Sequence, residues 1–284
     1  HQARYWLDAV RYGDTHGLHL DNKRGIYPYR DWVVKAFNDN LPFDQFITWQ
    51  LAGDLLPSPT LEQRVATGFV RMNPTTAEGG AIPKEFQAKN NFDRTETLGT
   101  VLLGATMTCA RCHTHKYDPI EQVEYYKLFA FFNSTSEGSM DGNRYEYAPV
   151  LKAPASGQDW EAWGVLESER VAILEEASKL KGSVKGLDQK AWEGSDNSDR
   201  FAIIADPNGS WKGHALQSRA IDLNKKTGEI QKRFTTTLVT QDLKKPRETK
   251  ILQRGEYNLP IGDSLEPGVP AVMGSLPKEA PKNR

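Results

Sequence analysis

A chain of 284 residues with a net charge of −1 lacks the basic excess of a nucleic-acid-binding protein. The length allows one large domain or two smaller ones. The longest weakly polar run, residues 98–110, is shorter than the ~20 residues that cross a bilayer. We therefore expect no nucleic-acid partner and no membrane span. The chain begins at His1, and its last residues are rich in Pro and Gly, so we expect further domains to flank it in a longer protein.

The first half of the chain predicts a mainly helical domain over residues 1–135. Apolar residues recur at helical spacing over residues 4–12, 29–38, 43–51, 61–72 and 84–108, and another helix follows Asp118-Pro119. Gly99 and Gly104 lie in the apolar part of the fifth helix. Glycine is unfavourable inside a helix, so we expect these two positions to leave room for a bulky group such as a cofactor.

The second half of the chain differs in composition. Residues 136–200 predict a connector rich in Ser, Gly and Pro that leads into an amphipathic helix over residues 160–181. Residues 201–284 predict a small β region and a tail between domains, with β-branched runs at 201–204, 235–240 and 249–253. The predicted fold class is mainly α, a helical domain with a small β-containing C-terminal region.

The chain has two cysteines, and both lie in the pentapeptide Cys109-Ala-Arg-Cys112-His113. A Cys-x-x-Cys-His pentapeptide is the attachment signature of c-type haem, in which the two thiols bond to the porphyrin and the imidazole binds the iron. Two intervening residues put both sulfurs within about one helical turn. The sequence therefore predicts haem c on Cys109 and Cys112, with His113 as the proximal iron ligand. The helical domain over residues 1–135 is thus the predicted haem-binding domain, and we expect residues 200–255 to lie outside the haem pocket.

Three other interpretations of the pentapeptide remain open. A redox-active Cys-x-x-Cys pair is typical of βαβ surroundings, whereas the flanks here predict helices. A zinc site could use Cys109, Cys112, His113 and His115, although four ligands from seven consecutive residues strain tetrahedral geometry. The third interpretation is two buried thiols and a histidine of the core.

The pentapeptide does not fix the second axial ligand of the iron. His115 lies two residues from His113, too close to reach the opposite face of the haem. We favour His16 or His19 as the distal ligand, because their loop follows the first helix and can fold over a haem edge; Met140 is the alternative. The other candidates in the chain are Met72, His214 and Met273. Histidine on both sides predicts a lower reduction potential than a His/Met pair.

Three carboxylates predict a possible second cation site. Glu78, Glu85 and Asp93 are spaced so that they could gather around a hard cation such as calcium. The alternative interpretation is that they are solvated side chains on a loop and a helix.

Longer stretches resemble a known family. The run from Cys109 to Ile120 and the upstream stretch Leu51–Pro57 resemble the cytochrome-like domain DUF1549 of large secreted planctomycete and verrucomicrobial proteins. The resemblance is dense over residues 1–135 and looser around Arg254–Tyr257. It implies a c-type cytochrome module, usually set between an N-terminal cytochrome domain and a C-terminal domain of unknown function. Thr114 stands where relatives are expected to have Asp.

The function expected from these observations is electron transfer through one haem in a larger exported redox protein. The chain has no nucleophile elbow, P-loop, dinucleotide fingerprint or His-Glu-x-x-His zinc motif, so we expect an electron-transfer module rather than a self-contained enzyme. Covalent haem attachment takes place outside the bacterial cytoplasm, which predicts a periplasmic or extracellular location and an unidentified redox partner. The alternative is a non-haem structural or polysaccharide-associated interaction module with a Cys/His zinc site.

Overall fold

The computed structural model describes residues 1–284 and divides the chain into two compact units. The first unit contains His1–Leu55, Leu61–Leu151 and Thr236–Arg284, and the second contains Leu56–Thr60 and Lys152–Thr235. These boundaries differ from the predicted ones, because the predicted C-terminal region is split. Its residues up to Thr235 belong to the second unit, whereas the remainder returns to the first.

Six helices build the first unit. They are α1 (Gln2–Ala9), α2 (Tyr27–Asn38), α3 (Phe43–Ala52), α4 (Leu61–Ala66), α5 (Pro83–Leu103) and α6 (Gln122–Asn133). The helix predicted over residues 84–108 ends at Leu103, because Gly104 adopts the left-handed conformation, with φ of 61°, that commonly ends helices. A backbone of this kind favours glycine at position 104.

Four helices build the second unit, namely α7 (Gly157–Leu180), α8 (Gln189–Gly194), α9 (Asn197–Ala205) and α10 (Ala215–Gln231). The strand predicted over residues 201–204 is wrong, since these residues belong to α9. Asp196 caps this helix by accepting a hydrogen bond from the Asp199 amide. Phe201 and Ile204 then lie on its buried face, in one core with Trp211 and other apolar side chains.

The β structure is small, as predicted. Strand β1 (Val150–Ala153) pairs with β2 (Thr235–Leu238), and β3 (Ile251–Leu252) pairs with β4 (Pro260–Ile261). The second pair is antiparallel, with Ile251 opposite Ile261. Ten helices and two two-stranded sheets confirm the mainly α fold class. None of the helices combines the length and the apolar composition that a membrane crossing requires.

The C-terminal part of the first unit packs on α6. We call residues 249–271 the strap. Leu252 and Leu265 of the strap pack against a core that includes Tyr126 of α6. Polar contacts fix both ends: the Asn133 side chain donates to Thr249 Oγ1 over 2.9 Å, and the Ala271 amide donates to Glu124 Oε1 over 2.7 Å. The strap therefore extends along α6, the helix that follows the Cys-x-x-Cys-His motif.

Candidate cofactor site

The two cysteines lie on one turn at the surface of the first unit. Residues Thr108–Arg111 form a 3₁₀ turn, and the Cys112 amide donates to the Cys109 carbonyl over 3.3 Å. Both thiols are free and exposed, whereas Ala110 between them is fully buried. The buried side chain of Ala110 anchors the turn, and the sulfurs of Cys109 and Cys112 remain accessible to solvent.

The residues before the turn correct one expectation. A Cβ atom at Gly99 would lie 2.6 Å from the Cγ and Sδ atoms of Met107, and Met107 is itself buried. Gly99 therefore makes room for a methionine of the core, and the expectation that it makes room for a cofactor is wrong. Gly104 has no neighbour within 4 Å of a built Cβ, so its positive φ is the reason for a glycine there.

Glu96 of α5 ties the turn to the helices beneath it. Its Oε2 accepts a hydrogen bond from Thr108 Oγ1 over 3.1 Å, and its Oε1 accepts one from Tyr125 Oη over 3.0 Å. An Arg111 nitrogen lies 3.7 Å from the same carboxylate. Burial, together with the Glu96 carboxylate, raises the pKa of Tyr125, so its hydroxyl stays protonated and donates.

A second anchor holds the backbone between the cysteines. The Arg111 carbonyl accepts from Gln122 Nε2 over 3.1 Å and lies 3.0 Å from Tyr126 Oη. The same hydroxyl lies 3.1 Å from the Leu252 carbonyl of the strap. Burial raises the pKa of Tyr126, so this hydroxyl also stays a donor. Side chains of α6 thus fix the peptide that precedes Cys112.

The strap itself reaches the motif, which the sequence did not predict. Cys112 Sγ donates to the Arg254 carbonyl over 3.3 Å. A Cβ atom at the next residue, Gly255, would lie 3.1 Å from Cγ of Arg111. The expectation that residues 200–255 lie away from the site is therefore wrong for this turn. The looser resemblance around Arg254–Tyr257 was the one sequence signal that pointed to it.

The His113 ring has one engaged and one available nitrogen. It is exposed, and its Nδ1 lies 2.7 Å from the Thr114 carbonyl. A carbonyl oxygen can only accept, so Nδ1 carries the proton and Nε2 keeps its lone pair. Because the Thr114 backbone carbonyl makes this bond, the bond does not depend on the side chain at position 114. A ring nitrogen with a free lone pair, oriented through the other nitrogen, is the usual state of a metal-binding histidine.

The His115 ring, in contrast, is committed to its own loop. Its Nδ1 accepts from the Tyr117 and Asp118 amides over 3.2 and 2.7 Å, and its Nε2 lies 3.5 Å from Asp118 Oδ2. No group of three or more His, Cys, Asp or Glu side chains is placed to hold one metal ion. The four ligands of the zinc interpretation therefore do not converge.

The candidate distal ligands His16 and His19 contact other residues in this structure. His16 is buried, with Nε2 at 2.9 Å from the Arg144 carbonyl and Nδ1 at 3.8 Å from Asp141 Oδ2. His19 is exposed and faces Glu78, with 4.0 Å between Nδ1 and Oε1. Met140 is half-buried in the loop after α6, and no hydrogen bond or ion pair links any of the three to His113.

The three carboxylates of the predicted calcium site also lie apart. Glu85 pairs with Lys89 over 2.5 Å. Asp93 pairs with Arg11, and the third, Glu78, faces His19. Each carboxylate has its own partner, so the structure does not gather them around one cation. The interpretation as ordinary paired and solvated side chains is the one that these contacts support.

Comparison with known proteins gives a family for part of the chain. No curated protein and no solved structure matched the sequence. A family model described as PSCyt2, protein of unknown function (DUF1549), matches residues 1–137. The matched part contains α1–α6 and the Cys-x-x-Cys-His motif, and it ends before the strap. Residues 1–137, just under half of the chain, are therefore similar to the DUF1549 family.

Proposed function

We propose that this protein is a c-type cytochrome module that transfers electrons through one haem attached to Cys109 and Cys112. The observation that supports the proposal best is that two thiols outside any disulfide and one imidazole are exposed on the same turn. Both thiols are free and exposed, and the His113 ring is exposed with its Nδ1 facing a carbonyl. Two thiols followed by an imidazole with an available Nε2 is the donor set that haem c requires.

Each residue of the turn has a separate task in this proposal. Each thiol would hold the haem through one carbon–sulfur bond, formed by addition to a vinyl group with the thiol hydrogen moving to carbon and no oxidant required. His113 would hold the iron through Nε2, and its Nδ1–H bond to the Thr114 carbonyl orients the ring. Glu96 and Tyr126 hold the turn in place. The bound haem supplies an iron that alternates between two oxidation states.

The surroundings of the turn also suit a large apolar group. Leu103 and Tyr117 flank the motif in sequence and are 40% and 83% exposed. A contiguous exposed apolar surface commonly marks a site that a ligand or partner covers, whereas single exposed side chains do not. We propose that a macrocycle on the turn covers part of this surface.

The location and partner follow from the same proposal. Covalent haem attachment takes place outside the bacterial cytoplasm, so we propose a periplasmic or extracellular protein. An electron carrier needs a donor and an acceptor, and we propose that one of them is a redox partner domain or protein. We propose that His113 would hold the iron. His16, His19 and Met140 remain the candidates for a second iron ligand, and His16 contacts Arg144 and Asp141 in the interior.

The test is the intact mass of protein made in a host with haem-c maturation. Wild-type protein should gain the mass of one haem, and the double variant Cys109→Ala, Cys112→Ala should not. The variant should keep the thermal unfolding midpoint of the unmodified wild type, because both thiols are exposed. A colourless wild-type protein with one bound zinc ion would instead support the interaction-module alternative.

A further inference from the structure

The turn of the strap beside Cys112 has an unusual backbone. Arg254 and Gly255 both have positive φ, 53° and 74°. Such a conformation is unfavourable for a non-glycine residue and is retained where the surrounding structure requires it. Here it places the Arg254 carbonyl 3.3 Å from Cys112 Sγ. A strap residue in contact with the candidate haem attachment point is thus an arginine held in a strained conformation.

The Arg254 guanidinium is uncommitted. The residue is exposed, and its side chain has neither a hydrogen-bond nor an ion-pair partner. The other arginine at the motif, Arg111, already faces Glu96 and lies over the Phe92 ring, 4.9 Å from the centroid. Of these two arginines, Arg254, whose carbonyl contacts Cys112 Sγ, is the one whose guanidinium has no partner and is free to bind an anion.

Haem carries two carboxylates, and arginine is the residue best suited to bind a carboxylate through two parallel hydrogen bonds. We infer that Arg254 binds a haem carboxylate and that the strap, outside the residues matched by the family model, completes the cofactor site. This inference rests on the proposed function. Its electrostatic consequence is that a cation next to the macrocycle favours the reduced, less positive state of the iron and raises the reduction potential.

The first experiment changes the charge of Arg254. Holo-protein carrying Arg254→Gln should retain one haem by mass and show a lower midpoint potential than wild type. Arg254→Lys, which keeps the charge, should remain closer to wild type. Arg64→Gln is the matched control: Arg64 is also exposed and has no side-chain partner, but it lies on α4, which packs on α2 and α3. The midpoint potential of the Arg64→Gln variant should equal that of wild type.

The second experiment moves the turn without changing its charge. Gly255 and Gly262 have nearly equal φ values of 74° and 75°, so alanine should strain both backbones alike. A Cβ at Gly255 meets Arg111, whereas one at Gly262 has no neighbour within 4 Å. We expect Gly255→Ala to lower the potential in the same direction as Arg254→Gln, and Gly262→Ala to leave it unchanged.

The outcomes separate the two proposals. If wild-type protein carries no haem, both the proposed function and this inference are overturned. If haem is present and Arg254→Gln has the wild-type potential, the role of Arg254 is overturned while the cytochrome proposal stands. Equal shifts in Gly255→Ala and Gly262→Ala would likewise contradict a specific contact between the strap turn and the cofactor.

Discussion

Two regions of the first unit use charged side chains in opposite ways. In its interior, Arg94 and Glu137 pair over 2.5 Å with side chains only 4% and 3% exposed. At the surface turn, Glu96 binds neighbouring side chains, while the thiols and His113 remain free and exposed. The interior pair fixes the fold, since each charge there depends on its partner. The surface turn is held by its neighbours and leaves its reactive atoms available.

Breaking the interior pair should give the largest loss of stability. Arg94→Leu leaves the Glu137 charge buried without its partner, which typically costs roughly 3–5 kcal/mol. Unfolding in urea measures this change in free energy. The control is Lys89→Ala on the same helix, because Lys89 pairs with Glu85 at the surface. Such exposed pairs contribute about 0–1 kcal/mol, so equal losses in the two variants would contradict the contrast.

The same pair predicts a dependence on pH. Burial alone would raise the pKa of Glu137, but the Arg94 and Arg71 guanidinium groups outweigh burial and lower it below its ordinary value of 4.5. Because the pKa of Glu137 is lower in the folded state, the pair stabilises the fold fully above the ordinary pKa of 4.5. This stability is lost as the pH falls through the lowered folded-state pKa. Unfolding free energies measured from pH 7 downward should therefore fall more steeply for wild type than for Glu137→Gln.

A substitution at Gly99 tests whether the packing of Met107 on this glycine supports the adjacent turn Thr108–Arg111. Gly99→Ala should destabilise the first unit by roughly 1–3 kcal/mol, because the new Cβ overlaps Met107. Gly164→Ala is the control in another helix, α7, where a Cβ has no neighbour within 4 Å. That change should stabilise its helix by up to about 1 kcal/mol. Thermal unfolding of both variants checks the opposite signs, and a stabilising Gly99→Ala would disprove the packing explanation.

The smallest expected effect is at Glu96. Glu96→Gln keeps an acceptor for one hydroxyl but loses the charge opposite Arg111 and one of the two acceptor oxygens. A loss of about 1–2 kcal/mol is expected for hydrogen bonds to a charged group. Hydrogen exchange of the amides of residues 108–113 should accelerate in this variant while that of α2 stays unchanged. Unaltered exchange at the turn would show that Glu96 does not hold it.

Local patterns predicted most helices, but they did not predict that Thr236–Arg284 belongs to the first unit. Helices α1–α7 follow apolar residues at helical spacing, which sequence periodicity reports directly. The strand predicted over residues 201–204 was wrong because Ile203 and Ile204 favour strands locally. The Asp196 cap and the buried core place these residues in a helix. The compact units differ from the predicted domain boundaries, and contacts between residues far apart in sequence, such as Asn133 and Thr249, cannot be read from local patterns.

The candidate site was likewise predictable only where its residues form a local motif. The pentapeptide identifies Cys109, Cys112 and His113 from sequence alone. Glu96 and Arg254 were missed, since each becomes part of the site only when distant segments fold together. No pattern of spacing in the sequence marks such residues. His16 was favoured because it lies in a polar loop, and its burial against Arg144 could not be read from that loop.

Peptide mapping tests the central proposal most directly, because Arg111 lies between the two cysteines. Trypsin cleaves after Arg94, Arg111 and Lys116 in denatured protein, which places Cys109 and Cys112 in separate peptides, residues 95–111 and 112–116. Mass spectrometry of protein made with haem-c maturation should find these two peptides joined as one species that carries one haem. Two separate peptides with unmodified cysteines would contradict the assignment of this turn as a haem-attachment site.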